Sequence, residues 1–175
     1  MPLDTPRPRG RLYFLPEGAE TLRILADVGP LASPQGIARS PDGQSLFVAD
    51  YTQGIARVDV RDGAVRLLDV PQDAVVTGID GLVWADGSLV GIQNGVRPHR
   101  VGRHRLDASL ERIEEVTVLE RGNPNFDEPT LGVRVGADLY FVANSQYRFV
   151  GDDGTLDLER LRPPVILRAP LPWIR

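Results

Sequence analysis

Ser33-Pro-Gln-Gly-Ile-Ala-Arg-Ser-Pro-Asp-Gly-Gln-Ser-Leu-Phe-Val-Ala-Asp50 is the stretch on which the fold turns. A short apolar run follows Gly36, and a Pro41-Asp42-Gly43 turn leads into Leu46-Phe47-Val48-Ala49. Asp-Gly between two β-type runs is a strong short-range hairpin signal, because only residues tolerant of positive φ close so tight a turn. The phrase returns twice. Asp80-Gly81-Leu82-Val83-Trp84 is followed by the Asp86-Gly87 turn and Ser88–Ile92, ending at Asn94. Thr130–Val135 is followed by Gly136-Ala137-Asp138 and Leu139–Ala143, ending at Asn144.

Outward from these hairpins, each repeat predicts further strands. In the first repeat these are Ile55–Val60 and Ala64–Val70, and in the second Val101–Leu106 and Arg112–Leu119. The third repeat adds one, Val165–Ala169. Before the first repeat, Arg11–Leu15 and Thr21–Val28 read as two more strands, and residues 1–10 as a loose Pro- and Arg-rich tail. The restarts at Gln35, Asp80 and Glu128 lie 45 and 48 residues apart. Four antiparallel strands at that period mark a β-propeller, in which each blade buries its faces only against its neighbours. The competing reading is a β-sandwich with coincidental similarity; it does not explain why restart, turn and polar strand end recur in register. The expected fold is therefore all-β, a partial propeller of about three and a half blades from a six-bladed ring, forming one segment over residues 11–175. The strand count predicts a C-terminal portion of such a ring, with exposed blade edges that invite self-association.

Composition agrees with this class. Gly 18 and Pro 15 in 175 residues supply many turns, and the hydrophobic share of 42% is that of a globular chain. A net charge of −4 gives no general attraction to nucleic acid or anionic membrane. There is no Cys, so disulfides and thiolate chemistry are excluded. No apolar run approaches the length that spans a bilayer, and the first ten residues lack a signal-peptide core. The expectation is a cytoplasmic location, or a periplasmic or secreted one where a signal has been lost.

Strand polarity indicates one functional face. The first strand of each blade lines the channel, and the second strand returns to the same end. Gln35, Asp50, Asp80, Asn94, Asp127, Glu128 and Asn144 are thereby gathered on one face, with Tyr147 in a loop beside them. All but Tyr147 offer carboxylate or amide oxygens, which suit a hard cation such as calcium better than zinc. The same residue types also cap strand ends and turns. The basic cluster Arg97–Arg105 reads as a solvated blade surface, Asp152–Asp157 as a solvated turn, and Trp84 as inter-blade core. No Gly-x-Ser-x-Gly centre is present.

The phrases Pro34–Asp50 and Ile79–Val90 resemble the repeat of the gluconolactonase and senescence-marker-protein (regucalcin) family, and more broadly NHL-type and TolB-like six-bladed propellers. The resemblance covers roughly residues 11–171 at the level of repeat architecture. It implies a divalent cation, calcium, at the channel mouth, with Gln35, Asp80 and Glu128 as ligands. Gln35 stands where the family has Asn, and Glu128 lies later in the chain than the family Glu. It further implies hydrolysis of a sugar lactone, the cation polarising the ring carbonyl while Asp80 or Glu128 helps to activate water. Asp50, Asn94, Asn144 and Tyr147 are the expected ligand contacts. The alternative is a non-catalytic propeller that binds a protein or small molecule on the same face.

Overall fold

The computed structural model describes residues 10–27, 29 and 31–172. The tail expected over residues 1–10 falls outside them except for Gly10. Thirteen strands are present among the described residues: β1 Arg11–Phe14, β2 Arg23–Asp27, β3 Pro34–Arg39, β4 Ser45–Asp50, β5 Gly54–Asp59, β6 Val65–Leu67, β7 Ile79–Trp84, β8 Ser88–Gln93, β9 Arg100–Leu106, β10 Ile113–Arg121, β11 Gly132–Val135, β12 Asp138–Val142 and β13 Ile166–Pro170. They form antiparallel sheets of two (β1-β2), four (β3-β4-β5-β6), four (β7-β8-β9-β10) and three (β11-β12-β13) strands in chain order. This is a partial β-propeller.

Strand boundaries follow the turn residues. The Asp-Gly turns close with Gly43 and Gly87 at positive φ. The expected strand Ala64–Val70 is shortened to β6, because the chain leaves its own sheet to meet the next one. Asp69 N–H donates to the Glu111 carbonyl at 3.0 Å, and Ile113 N–H donates to the Asp69 carbonyl at 2.8 Å. The second strand predicted at Thr21–Val28 is confined to β2, and Val28 lies outside the described residues.

Alternation along each strand sends successive side chains to opposite neighbours. In β4, Phe47 and Ala49 face the third sheet, packing with Ile55, Ile79, Leu89 and Ile113. Val48, between them, faces the first sheet with Leu12, Ala26 and Val58. Val90, Ile92, Leu139 and Phe141 form the third layer of core, between the last two sheets. Trp84 stacks on Phe47 at 5.7 Å between ring centres, which places it in inter-blade core as its strand position predicts. Glycines permit the blades to converge at the axis. A Cβ on Gly36 would lie 2.6 Å from the Asp80 carbonyl oxygen, and one on Gly81 would lie 2.9 Å from that of Thr130.

One polar contact recurs between the second and third strands of the last three sheets and verifies the repeat. Arg57 Nε donates to Ser45 Oγ at 2.8 Å, Arg103 Nε to Ser88 Oγ at 2.9 Å, and Arg168 Nε pairs with Asp138 Oδ1 at 3.0 Å. Ser45, Ser88 and Asp138 each open a second strand, so they are equivalent positions. The basic cluster is divided by the same alternation. Arg105 is half-buried beside Glu114 and Glu115, whereas His104 is wholly buried, a correction to the reading of Arg97–Arg105 as surface. The glycines Gly91 and Gly102 leave room for its ring, since a Cβ on Gly91 would lie 3.0 Å from it.

Candidate functional site at the channel mouth

The equivalence of Ser45, Ser88 and Asp138 also aligns the first strands. Ile37 pairs with Val48, Leu82 with Gly91, and Gly132 with Phe141. Two residues upstream lie Gln35, Asp80 and Thr130. The third restart is therefore Thr130 rather than Glu128, and the restarts are 45 and 50 residues apart. The register breaks at this point in both full blades, between Pro34 and Ile37 and between Ile79 and Gly81. Such bulges leave a residue out of the ladder and re-aim its side chain. Gln35 and Asp80 occupy them.

Asp80 is the centre of the site. Its Oδ2 accepts from Asn94 Nδ2 at 2.8 Å and from Thr130 Oγ1 at 2.7 Å. Asn94 Oδ1 in turn accepts from the Tyr51 hydroxyl at 2.9 Å. This chain of hydrogen bonds crosses three blades. Tyr51 follows β4 of the second sheet, Asn94 and Asp80 belong to the third, and Thr130 precedes β11 of the fourth. Tyr51 is held against the backbone, for a Cβ on Gly95 would lie 2.8 Å from its ring and hydroxyl. Burial raises the Tyr51 pKa above that of an ordinary phenol, with the negative charges of Asp80 and Glu128 acting in the same direction and Arg97 opposing them. His99 belongs to the same field. Burial and then the Arg97 charge lower its pKa, against the backbone carbonyls of Asn94 and Val96 and the charge of Glu128.

Glu128 stands beside this network in left-handed conformation, φ 58°. A non-glycine residue in that region carries strain of about 1–3 kcal/mol, which surrounding contacts must hold. Here Ser145 N–H donates to its carbonyl and Arg148 N–H to its Oε2, both at 3.2 Å. Tyr147, adjacent to Arg148, is 73% exposed. Gln35 is exposed, with its amide 3.4 Å from Ser33 Oγ.

The structure reassigns two expected ligand contacts. Asp50 is wholly buried, and its carboxylate accepts from Ser33 N–H, Thr52 N–H, Thr52 Oγ1 and Gln53 N–H. Burial acts to raise its pKa, but those donors outweigh burial and hold it low. Asp50 thus organises the turn; the equivalent residue in the next blade is Gln93, and Tyr51 is the one aligned with Asn94 and Asn144. Asn144 is also buried, donating to the Pro163 carbonyl at 3.1 Å and accepting from Val165 N–H at 2.6 Å. It pins the long loop between β12 and β13, a task shared with Gln146, whose amide makes two bonds to the Arg162 backbone. Tyr51, Thr130, Arg97 and His99 are the site residues that strand-end reasoning missed. Aligning the repeats on Ser45, Ser88 and Asp138 finds the first two.

Among the described residues, no group of three or more His, Cys, Asp or Glu side chains is assembled to hold a metal ion. No helix among them is long and apolar enough to cross a membrane.

No protein-family model matches the sequence, and no curated protein matches it. Solved structures do. A luciferin-regenerating enzyme superposes with a TM-score of 0.62 at 17% identity, over 93% of this chain and 52% of its own. The soluble aldose sugar dehydrogenase of Escherichia coli, in its apo form, gives 0.58 at 18% identity, over 86% and 47%. The PQQ-bound aldose sugar dehydrogenase of Streptomyces coelicolor gives 0.52 at 22% identity, over 79% and 44%. At these identities the likeness establishes the propeller fold. The chain spans about half the length of these structures.

Proposed function

We propose that the protein binds a small polyhydroxylated ligand, of the sugar or sugar-lactone kind, at the channel mouth around Asp80. The observation that carries this reading is the fixed carboxylate. Oδ2 of Asp80 is held by donors from two blades, while no protein group among the described residues donates to Oδ1. An ionised carboxylate is an acceptor only, and its free oxygen suits a ligand hydroxyl. The charge of Glu128 acts on Tyr51 together with that of Asp80, so a second carboxylate and a phenol lie in the same field, polar groups of the kind that orient a hydroxylated ligand.

The resemblance also implies calcium and lactone hydrolysis. Calcium takes six to eight oxygens. The donors here do not make that cage. Asn94 turns N–H rather than oxygen toward Asp80, the Thr130 hydroxyl also donates to it, and no third carboxylate joins Asp80 and Glu128. Ligand binding is accordingly the function proposed, without a hydrolytic step. The test is saturation-transfer NMR of the protein with D-glucitol and D-glucono-1,5-lactone. Transfer to ligand protons that Asp80→Asn abolishes supports the proposal, and its absence from the parent protein overturns it.

A further inference from the structure

The two ends of the row of sheets are open in complementary ways. At one end, β1 and β2 cover Val48, Ala56 and Val58 of the second sheet. They leave Ile37 on β3 49% exposed, whereas Leu82, its aligned counterpart on β7, is 5% exposed. Leu82 packs in one cluster with Ala38, Phe47 and Ala49 of the preceding sheet. Ile37 belongs to no such cluster among the described residues.

At the other end, strand pairing sets Val133, Val135, Tyr140, Val142 and Ile166 at the positions of Val83, Ala85, Val90, Ile92 and Val101 one sheet earlier. All five residues of the earlier sheet pack against the fourth sheet. The second sheet repeats the pattern, with Ala38, Phe47, Ala49 and Ile55 at these positions and buried against the third. In the fourth sheet the same face has nothing on it among the described residues, and Val133, Val135 and Ile166 are each more than half exposed. The cover that Ile37 lacks is therefore of the kind this face provides. Leu82 takes Ala38 and Phe47, and Val133 and Tyr140 are the residues aligned with those two.

Strand edges and chain length fit the same match. β13 pairs only with β12, and β1 and β2 pair only with each other. The chain spans 52%, 47% and 44% of the three propellers it superposes on, so two copies supply about one such chain. We propose that the partner of these open faces is a second copy of this chain. The fourth sheet of each copy docks beside the β1–β2 pair of the other, with Val133 and Tyr140 covering the partner's Ile37. The contact is made twice about a two-fold axis, and the ring closes. Two complete sheets from each copy and two composite blades give a ring of six. The apolar area removed from water drives closure, as it does between the sheets within one copy.

The experiment uses the whole chain, which has no cysteine of its own. Sedimentation velocity at about 10 µM, above a micromolar dissociation constant, is expected to show a dimer. Val133→Lys and Ile37→Asp alter exposed side chains at opposite ends of the row, and each is expected to weaken the dimer at least tenfold with an unchanged circular dichroism spectrum. The geometry is read from Ile37→Cys/Val133→Cys treated with a short bis-maleimide. Because β7 lies between β3 and β11, a link joins two copies and not one copy to itself. Linked product is expected to stop at the dimer. A control, Ile37→Cys/Val118→Cys, places the second thiol on the outer strand β10, at a position 42% exposed, and is expected to stay unlinked. A parent that sediments as a monomer overturns the proposal. So does a ladder of higher linked species, which marks open end-to-end association, or equal linking of the control. A folded Ile37→Cys/Val133→Cys protein that forms dimers but no link overturns the docking geometry and with it the closed ring.

Discussion

Acidification is expected to weaken the fold through His104, by an amount the structure sets. The ring is fully buried between the second and third sheets; its Nδ1 lies 3.4 Å from the Leu89 carbonyl, and Nε2 is the one buried side-chain polar atom without a partner among the described residues. Burial lowers its pKa to about 4 from an ordinary 6.5, the Leu89 carbonyl opposing and the nearby Arg100 charge assisting. The native state therefore holds His104 neutral where the unfolded chain would protonate it. Its contribution to stability is fully present above pH 6.5 and is lost as the pH falls from there toward 4. With the unfolded form binding one more proton across that window, the loss reaches about 3 kcal/mol at pH 4. The assay is urea unfolding from pH 7.5 to 4 for the parent and for His104→Leu, which keeps an apolar side chain of similar bulk beside Gly91. Carboxylates titrate alike in both proteins, so the difference between the two curves isolates the imidazole. A difference that stays constant across the window would refute the reasoning.

The remaining expectations concern packing, the long loop and association. Gly36→Val is expected to destabilise by at least about 3 kcal/mol or to prevent folding, because backbone atoms of Asp80 and Leu82 stand 2.6 Å from the new Cβ; thermal melting measures it. Asn144→Ala removes its two bonds to the β12–β13 loop and leaves the Pro163 carbonyl and Val165 N–H without that partner. A cost of about 1–3 kcal/mol and faster proteolysis within residues 145–164 are expected, and unchanged cleavage would count against a pinning role. Self-association is expected from the apolar faces of the end sheets, where Tyr13, Leu22 and Ile24 at one end and Val133, Val135 and Ile166 at the other are all more than half exposed. Sedimentation velocity should show association that rises with concentration and falls in Val133→Lys. A monomer at every concentration would refute it.

The propeller was legible because it rests on local chemistry repeated in register. Asp42-Gly43 and Asp86-Gly87 specify tight turns by backbone conformation alone, and alternation such as Phe47-Val48-Ala49 follows from the two-residue period of a strand. Strand edges moved by a residue or two, except where a contact from another blade intervened, as Asp69 does when it leaves β6 for the third sheet. The candidate site was legible only in outline. Asp80 and Asn94 fell where their strand ends predicted, whereas Asp50 and Asn144 are consumed by local turns and the loop, and Glu128 stands two residues before its aligned restart.

What the sequence determined by itself was the order of strands, the positions of the turns and the end of the sheets at which polar residues gather, since each depends on neighbours within one hairpin. The tertiary structure decided which of those polar residues join one hydrogen-bonded network. Tyr51, Asn94, Asp80 and Thr130 come from three blades and meet only when these close around the axis. The direction of a hydrogen bond between them depends on what each partner already gives or accepts, and no spacing along the chain contains that information.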